Sequence, residues 1–506
     1  MTEAAEGRRR AVVTAAAMLG MFLAAMDQTA VGTAMPTILG ALGGLALYSW
    51  VFAAYQLAFV VTTPIFGRLA DLYGRKRVYL AGILSFLAAS ALCGMSQSML
   101  QLVLFRFLQG IGGGAVLPIA LTIIGDLFPL EQRLRIQGVF SGVWGLAAII
   151  GPLVGGFLTD HATWRWIFFL NVPVGIVAAA VLLVALREPP VSGDGVVDYA
   201  GAGLLAGSAT AFLLLLVGGG HAFPWASLPS AGLTAATALL AALFVGTERR
   251  AEHPFLPFSL FANRIVTVAS VGGFLLGLSM FGAIAYIPLF VQGVIGGSAT
   301  TAGVVLTPFM VTWTFSSVAG GRLALRWGYR STTTLGMLFL LAGFVALLGL
   351  GPRATVHAVI SAMVILGSGM GLTATMFVIA MQNAVDRPLR GVVTSLNIFA
   401  RNIGSAIGVT AQGAMLLALL ARYLPPARAA MPAPDPQAVL DPGIQSHLGS
   451  AGHELVREAL ARALHGVFGL GLALVVAGLV TVVLFMPPGS VTDHLAGAAS
   501  EASRAT

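Results

Sequence analysis

Asp27 is the one acidic residue of nineteen that falls in the middle of a long apolar segment, AVVTAAAMLGMFLAAMDQTAVGTAMP from 11 to 36. In that setting a carboxylate can take up and release a proton or balance a cation. Either task needs a cavity or a partner, because a charge that faces hydrocarbon is costly. Two cations lie inside other apolar stretches, Arg106 in LFRFLQGIGGG and Arg401 in RNIGSAIG. The single cysteine, Cys93, permits neither a disulfide framework nor a thiolate metal cluster, and the eight histidines are scattered, so no metal site is expected. A P-loop and a Ser-His-Asp or His-Glu constellation are also missing, which argues against an enzyme and leaves no cofactor to place.

The elements that must hold these groups are membrane-spanning helices. The chain is 58% hydrophobic and 9% charged, with a mean hydropathy of +0.92, which describes no soluble globular protein. About 20 apolar residues cross a bilayer as a helix, and such runs occur from end to end. A pI near 10.2 and a formal charge of +8 raise the question of nucleic acid. The basic residues sit in short loops without interleaved aromatics, so nucleic acid is not an expected partner. Arg8, Arg9 and Arg10 ahead of the first apolar run mimic a secretory signal, but the run is too long, lacks a cleavage site and precedes many more.

Apolar stretches bounded by charge, Gly or Pro give fourteen spans: 11–36, 48–70, 78–97, 100–124, 137–159, 165–187, 198–218, 226–247, 266–292, 300–324, 331–350, 354–380, 394–420 and 464–486. Of the 27 Lys and Arg, Arg165, Arg353, Arg422, Arg428, Arg457 and Arg462 fall on one side, Arg106 and Arg401 lie within spans, and nineteen fall on the other side. That excess puts both termini in the cytoplasm. The outer loop 421–463 opens with YLPPARAAMPAPDPQ, too rich in Pro for regular structure, and continues into HELVREALARALHGVF, which has the spacing of a short surface helix.

The sequence also echoes itself. Gly67-Arg68-Leu69-Ala70 returns as Gly321-Arg322-Leu323-Ala324, an offset of 254, each followed by an aromatic-Gly pair, Tyr73-Gly74 and Trp327-Gly328. Gly110, Gly112 and Gly114 return as Gly367, Gly369 and Gly371; Gly138, Gly151 and Gly155 return as Gly391, Gly404 and Gly408. Two six-helix halves in the same order, 11–187 and 266–486, with two helices inserted over 198–247, would produce this pattern.

Three motifs carry a family resemblance. GRLADLYGRKRVYL, 67–80, resembles the signature loop of the major facilitator superfamily: Gly67 and Gly74 would permit close packing at a tight turn, and Asp71, with Arg75 beside it, would latch onto arginines or a positive helix start in the other half. The second copy has Leu325 in the place of Asp71, so the latch is asymmetric. Arg106 and the following Q-G resemble the R-x-x-Q-G motif of proton-coupled antiporters. GVWGLAAIIGPLVGG, 142–156, with Gly142, Gly145, Gly151, Pro152, Gly155 and Gly156, resembles the motif that marks exporters. With WRWIFFLNVPVG and RNIGSAIG, the resemblance covers most of the chain and implies an all-α integral membrane protein of the fourteen-helix drug:proton antiporter family.

Helix geometry adds a check that is independent of the family. At 1.5 Å per residue, Asp27 lies ~24 Å from the inner end of its span, Arg106 ~9 Å below the outer end, and Arg401 ~10 Å from the cytoplasmic side. Asp27 and Arg106 therefore share the outer half of the bilayer and form the expected proton-coupling pair, while Arg401 is a poorer partner that could snorkel or bond backbone carbonyls. Gln28, Tyr55, Gln56, Trp144, Tyr286, Gln292, Trp313, Asn397, Arg401 and Gln412 are the candidate substrate-binding side chains, with Met370 and Met376 as adaptable lining. No Asp or Glu occurs between Glu252 and Asp386, nor between Asp386 and Asp435, which favours monovalent or neutral lipophilic substrates over dications. The expectation is a monomeric, proton-driven exporter of lipophilic small molecules in the cell membrane, working by alternating access. The alternative is a dedicated exporter of a lipid or antibiotic on the same helices.

Overall fold

A computed structural model describes residues 3–127, 130–186, 188, 199–219, 223–250, 258–385, 389–424 and 450–487. Among them the chain is helical, as α1 (Glu3–Leu42), α2 (Tyr48–Tyr73), α3 (Arg75–Met95), α4 (Met99–Leu127), α5 (Leu130–His161), α6 (Trp166–Phe169) and α7 (Asn171–Ala185). There follow α8 (Tyr199–Gly218), α9 (Leu228–Glu248), α10 (Arg264–Gly293), α11 (Ala299–Leu348), α12 (Val356–Asn383), α13 (Arg390–Tyr423) and α14 (Ser450–Phe485). In hydrocarbon every backbone N–H and C=O must be satisfied within the chain, and a continuous helix does so locally. Eleven of these helical segments are long and apolar enough to cross a membrane, and shorter apolar helices at Gly145–His161 and Gly203–Leu216 fall on the expected fifth and seventh spans.

Several boundaries differ from the sequence reading: α1 continues past Pro36 to Leu42, α5 begins at Leu130, and the expected span 165–187 is divided into α6 and α7. The expected spans 300–324 and 331–350 are joined in α11, which is broken only at Gly328, where φ is 77° and ψ is 173°. Its counterpart Gly74, with φ 91°, separates α2 from α3. The repeated aromatic-Gly pair thus marks the same turn twice, and both glycines adopt a positive φ that other residues reach only with strain. At the other end, the surface helix expected before the last span is no separate element: α14 runs unbroken from Ser450 through the apolar run, because no Gly or Pro interrupts HELVREALARALH. His465 and Arg457 tie its start to the Leu350 and Pro352 carbonyls.

The paired glycines set the helix spacing. A side chain at Gly110 would strike the Tyr55 carbonyl, at Gly112 the Phe86 backbone and at Gly114 the Phe59 carbonyl. In the second set, Gly367 abuts the Phe309 carbonyl, Gly369 the Leu340 backbone and Gly371 the Trp313 carbonyl. Tyr55 and Phe309, Phe86 and Leu340, and Phe59 and Trp313 are each 254 residues apart, so the repeat extends from the glycines to the backbone they touch. Such contacts bring helices to backbone distance, where packing rather than hydrophobicity holds membrane helices together. Gly67 behaves differently from the expectation: among the described residues a Cβ there meets nothing within 4 Å, so it is Gly74 that makes the tight turn.

The chain divides into two compact units, one of Met1–Phe255, Val291–Val304 and Leu424–Val456, the other of Leu256–Phe290, Val305–Tyr423 and Arg457–Thr506. Within the first, α1 packs on α5 and α7, α4 on α2 and α3, and the inserted pair α8 and α9 on each other. Within the second, α13 lies against α10 through Gly277, Gly404 and Gly408.

Candidate functional site

Five helices of the first unit converge on Asp27. The buried face of α4 carries Arg106, Gln109 and Gly110, while Leu104, Phe107 and Leu108 on its other face stay exposed, as a lipid-facing surface requires. Because Gly110 has no side chain, α4 sits against the α2 backbone at Tyr55, which brings the Arg106 guanidinium to 4.1 Å from the Tyr55 ring centroid. The Arg106 Nε donates to the Val51 carbonyl at 3.3 Å. Its Nη1 donates to Asp27 Oδ2 at 2.5 Å and to Gln109 Oε1 at 2.7 Å.

The other carboxylate oxygen is held by two amides. Gln109 Nε2 and Asn171 Nδ2 each donate to Asp27 Oδ1 at 3.0 Å. The same Asn171 nitrogen reaches Ser90 Oγ at 3.0 Å, and Ser90 donates to the Phe168 carbonyl at 2.9 Å, which links α3 and α6 to the cluster. Asp27 is 0% exposed and Arg106 1%. Buried charges are tolerated when they are paired and their remaining valences are filled, and here both conditions hold. Every contact to the carboxylate is a donor: Oδ1, which accepts two, takes up a proton only by releasing one of them, while Oδ2 accepts from Arg106 alone and a proton there cancels the charge of the ion pair.

The structure therefore brings Asp27, Arg106 and Tyr55 together. Gln28 Nε2 meets the Tyr55 hydroxyl at 3.5 Å at the border of the cluster, and Gln56 is partly buried one residue further along α2. Gln109 and Asn171 were within quoted motifs, R-x-x-Q-G and WRWIFFLNVPVG, yet had no role assigned. Gln109 could have been found from its spacing, three residues after Arg106 on one helix face. Asn171 could have been found as an amide inside an apolar run.

Several candidate substrate residues are occupied in holding helices together instead. The Tyr286 hydroxyl donates to the Val409 carbonyl at 2.9 Å, and Asn397 Nδ2 to the Ala269 carbonyl at 2.9 Å. Gln412 Nε2 donates to the Leu278 and Ser279 carbonyls at 3.1 and 3.2 Å. All three side chains are buried, and they tie α10 to α13. Met370 and Met376 are likewise fully buried in α12. In the first unit, Gln292 donates to the Thr33 carbonyl at 2.9 Å and accepts from Thr37 at 3.4 Å. Trp313 packs edge-on to Phe309 and Phe281. Arg401 forms no hydrogen bond or ion pair with a described residue, and its Nε is buried without a partner. The side chains of Trp144, Asp71 and Arg68, and the surroundings of Gly142, lie outside the described residues.

The exporter-like motif packs as its small residues allow. Gly151 and Gly155 lie against the α1 backbone at Met26 and Ala30, Gly156 against Ala299, and the Pro152 carbonyl against Gly303; Gly145 lies on the same helix, α5. Beyond the end of that motif, Asp160 accepts the backbone N–H groups of Ala299 at 3.2 Å and Thr300 at 2.8 Å, capping the first turn of α11. In the signature loop, Glu188 caps α3 in the same manner, accepting the Arg75 N–H at 2.6 Å and the Lys76 N–H at 3.1 Å.

Comparison with known proteins identifies the family and the fold. Residues 17–409 match the family model described as the Major Facilitator Superfamily. The multidrug transporter protein MdtP of Bacillus subtilis (strain 168) is 36% identical, with 100% of this chain and 98% of that protein covered. Multidrug resistance protein 3 of the same organism is also 36% identical, over 93% of each. Among solved structures, a bacterial homolog of the human lysosomal transporter Spinster, in an inward-facing and unoccupied conformation, shares the fold with a TM-score of 0.69 at 18% identity, covering 94% of this chain and 98% of that one. The family match over most of the chain and the two multidrug relatives settle the identity of these glycine-packed apolar helices: the chain belongs to the major facilitator superfamily and is a multi-pass membrane transporter, not an enzyme.

Proposed function

We propose that the protein exports lipophilic small molecules across the cell membrane by alternating access, driven by protons that bind and leave Asp27. The observation that carries this reading is the sealed cluster of Asp27, Arg106, Gln109 and Asn171. Its single carboxylate has a cation and two amides as partners, so protonation breaks specific contacts among α1, α4 and α7 and biases one conformation over another. The two similar Bacillus subtilis proteins, named for multidrug transport and multidrug resistance, support a drug-like substrate class. In this reading the termini face the cytoplasm, the monomer is sufficient and the proton gradient is the only energy source.

The test is efflux in proteoliposomes under an imposed pH gradient. Purified protein should move a lipophilic dye when the gradient is present and stop when a protonophore collapses it. Transport indifferent to the gradient would overturn the coupling.

A further inference from the structure

Apart from charges at span ends, at the Gly328 break and on the amphipathic start of α14, three side chains that carry a formal charge at neutral pH lie within the candidate spans of the described residues: Asp27, Arg106 and Arg401. Counting charges along the sequence leaves Asp27 available to balance a cationic substrate. Its contacts remove it from that role, since both oxygens are engaged and Arg106 already neutralises it. The remaining embedded charge is Arg401, and it is positive.

Arg401 stands eleven residues after Arg390 on α13, ~16 Å along the helix axis, too deep for its side chain to reach the helix start. Its backbone carbonyl is pressed against Gly277 of α10, so the helix cannot turn away. The residue keeps part of its surface open, on the helix stripe that Ile398, Arg401 and Asn402 form at i, i+3 and i+4. No Asp or Glu occurs in α10, α11, α12 or α13. A guanidinium in that setting has lost water without gaining a counterion, a state that an arriving anion relieves.

We propose that Arg401 receives the carboxylate of a lipophilic, monoanionic substrate. The proposal rests on the efflux reading and specifies its substrate class. A planar guanidinium matches a carboxylate through two parallel N–H···O bonds, a fit that an ammonium cannot offer. The apolar body of such a substrate would lie on the exposed Ile398 face. Arg401 is therefore a specificity-determining residue, and charge selection is set by the second unit while the proton site belongs to the first.

The experiment is equilibrium binding without a gradient, so it reads substrate charge independently of proton coupling. The full-length protein is placed in nanodiscs of phosphatidylcholine at neutral pH and titrated with 11-(dansylamino)undecanoic acid, its methyl ester and a trimethylammonium analogue, following dansyl fluorescence. The acid should bind about tenfold or more tightly than the ester or the cation. R401Q should erase the preference of acid over ester, and R401K should keep a measurable part of it. Equal binding of acid and ester by the unaltered protein, or a preference that survives in R401Q, would overturn the proposal. Displacement of the acid by phosphatidylglycerol, with no displacement by neutral lipid, would assign Arg401 to a resident lipid and equally overturn the substrate role. A loss of gradient-driven transport alone would instead count against the efflux reading.

Discussion

Asn171 and Asp27 are 144 residues apart in the chain and meet at 3.0 Å, amide to carboxylate. The Asn171 amide oxygen, on the far side of the same group, is buried with no partner. A proton on Asp27 Oδ1 would repel the Asn171 nitrogen, and a half-turn of the amide would present the idle oxygen as an acceptor. Asn171 is thus the contact best placed to carry the state of Asp27 into α7 and, through Ser90, into α3. Asn171→Leu should still insert, lose about 1.5–3 kcal/mol of stability for a hydrogen bond to a charged group, and lose most gradient-driven efflux. Thermal unfolding and efflux measured on one preparation separate the two effects. Lower stability with full efflux would confine Asn171 to a structural role.

Asp27→Asn removes the titrating proton while nearly preserving shape. The amide oxygen can still accept from Arg106, so the variant should fold and appear in the membrane at close to normal levels. Gradient-driven efflux should fall to that of empty liposomes. Undiminished transport would exclude Asp27 as the proton carrier.

Arg106→Ala is predicted to be more damaging to the fold than Asp27→Asn. It strands a carboxylate that is 0% exposed, and breaking a buried pair by removing one partner costs about 3–5 kcal/mol. The double variant Asp27→Asn with Arg106→Ala should regain part of that loss. A double-variant cycle on thermal unfolding measures it, and strict additivity would mean that the pair is not energetically coupled.

Gly112→Ala and Gly67→Ala form a contrast. A methyl at Gly112 enters the Phe86 backbone, whereas one at Gly67 meets nothing within 4 Å. The first should cost about 1–3 kcal/mol by forcing α3 and α4 apart, and the second should be neutral for stability. Detergent-solubilised yield and melting temperature read both, and equal behaviour would show that the repeated glycines do not set helix spacing.

Asp160→Ala should loosen the first turn of α11, because it removes the acceptor of the Ala299 and Thr300 amides. Hydrogen exchange of a peptide covering 298–302 should accelerate roughly two- to fivefold, the range of an exposed carboxylate at a helix start. Unchanged protection would mean that water replaces Asp160 without cost.

The parts legible in the sequence are those that depend on depth and period. Apolar runs place the helices, and the rise per residue puts Asp27 and Arg106 at a common level before any contact is known. The repeated aromatic-Gly pair coincides with the two turns at which Gly74 and Gly328 take a positive φ. Amides were harder to read. Gln109 and Asn171 bind the carboxylate, while Asn397 and Gln412 bind backbone carbonyls of α10, yet all four are the same kind of residue in the same kind of run. Hydropathy says that such a side chain avoids lipid and leaves open which neighbour it meets. Only the crossing of helices at Gly110, Gly277 and Gly404 decides that, and those crossings join residues far apart in sequence.

A carboxylate that exchanges protons with both faces of a membrane is also a potential short circuit. Under the proposed coupling, the closure around Asp27, with its carboxylate fully enclosed and each oxygen engaged, answers that hazard. Without cargo to trigger a change of conformation, hydronium meets a carboxylate that is enclosed and already neutralised by Arg106. An idle copy then acts as an insulator. A cell can keep many such copies in its membrane and still hold the voltage and pH difference on which its other energy-converting machines depend.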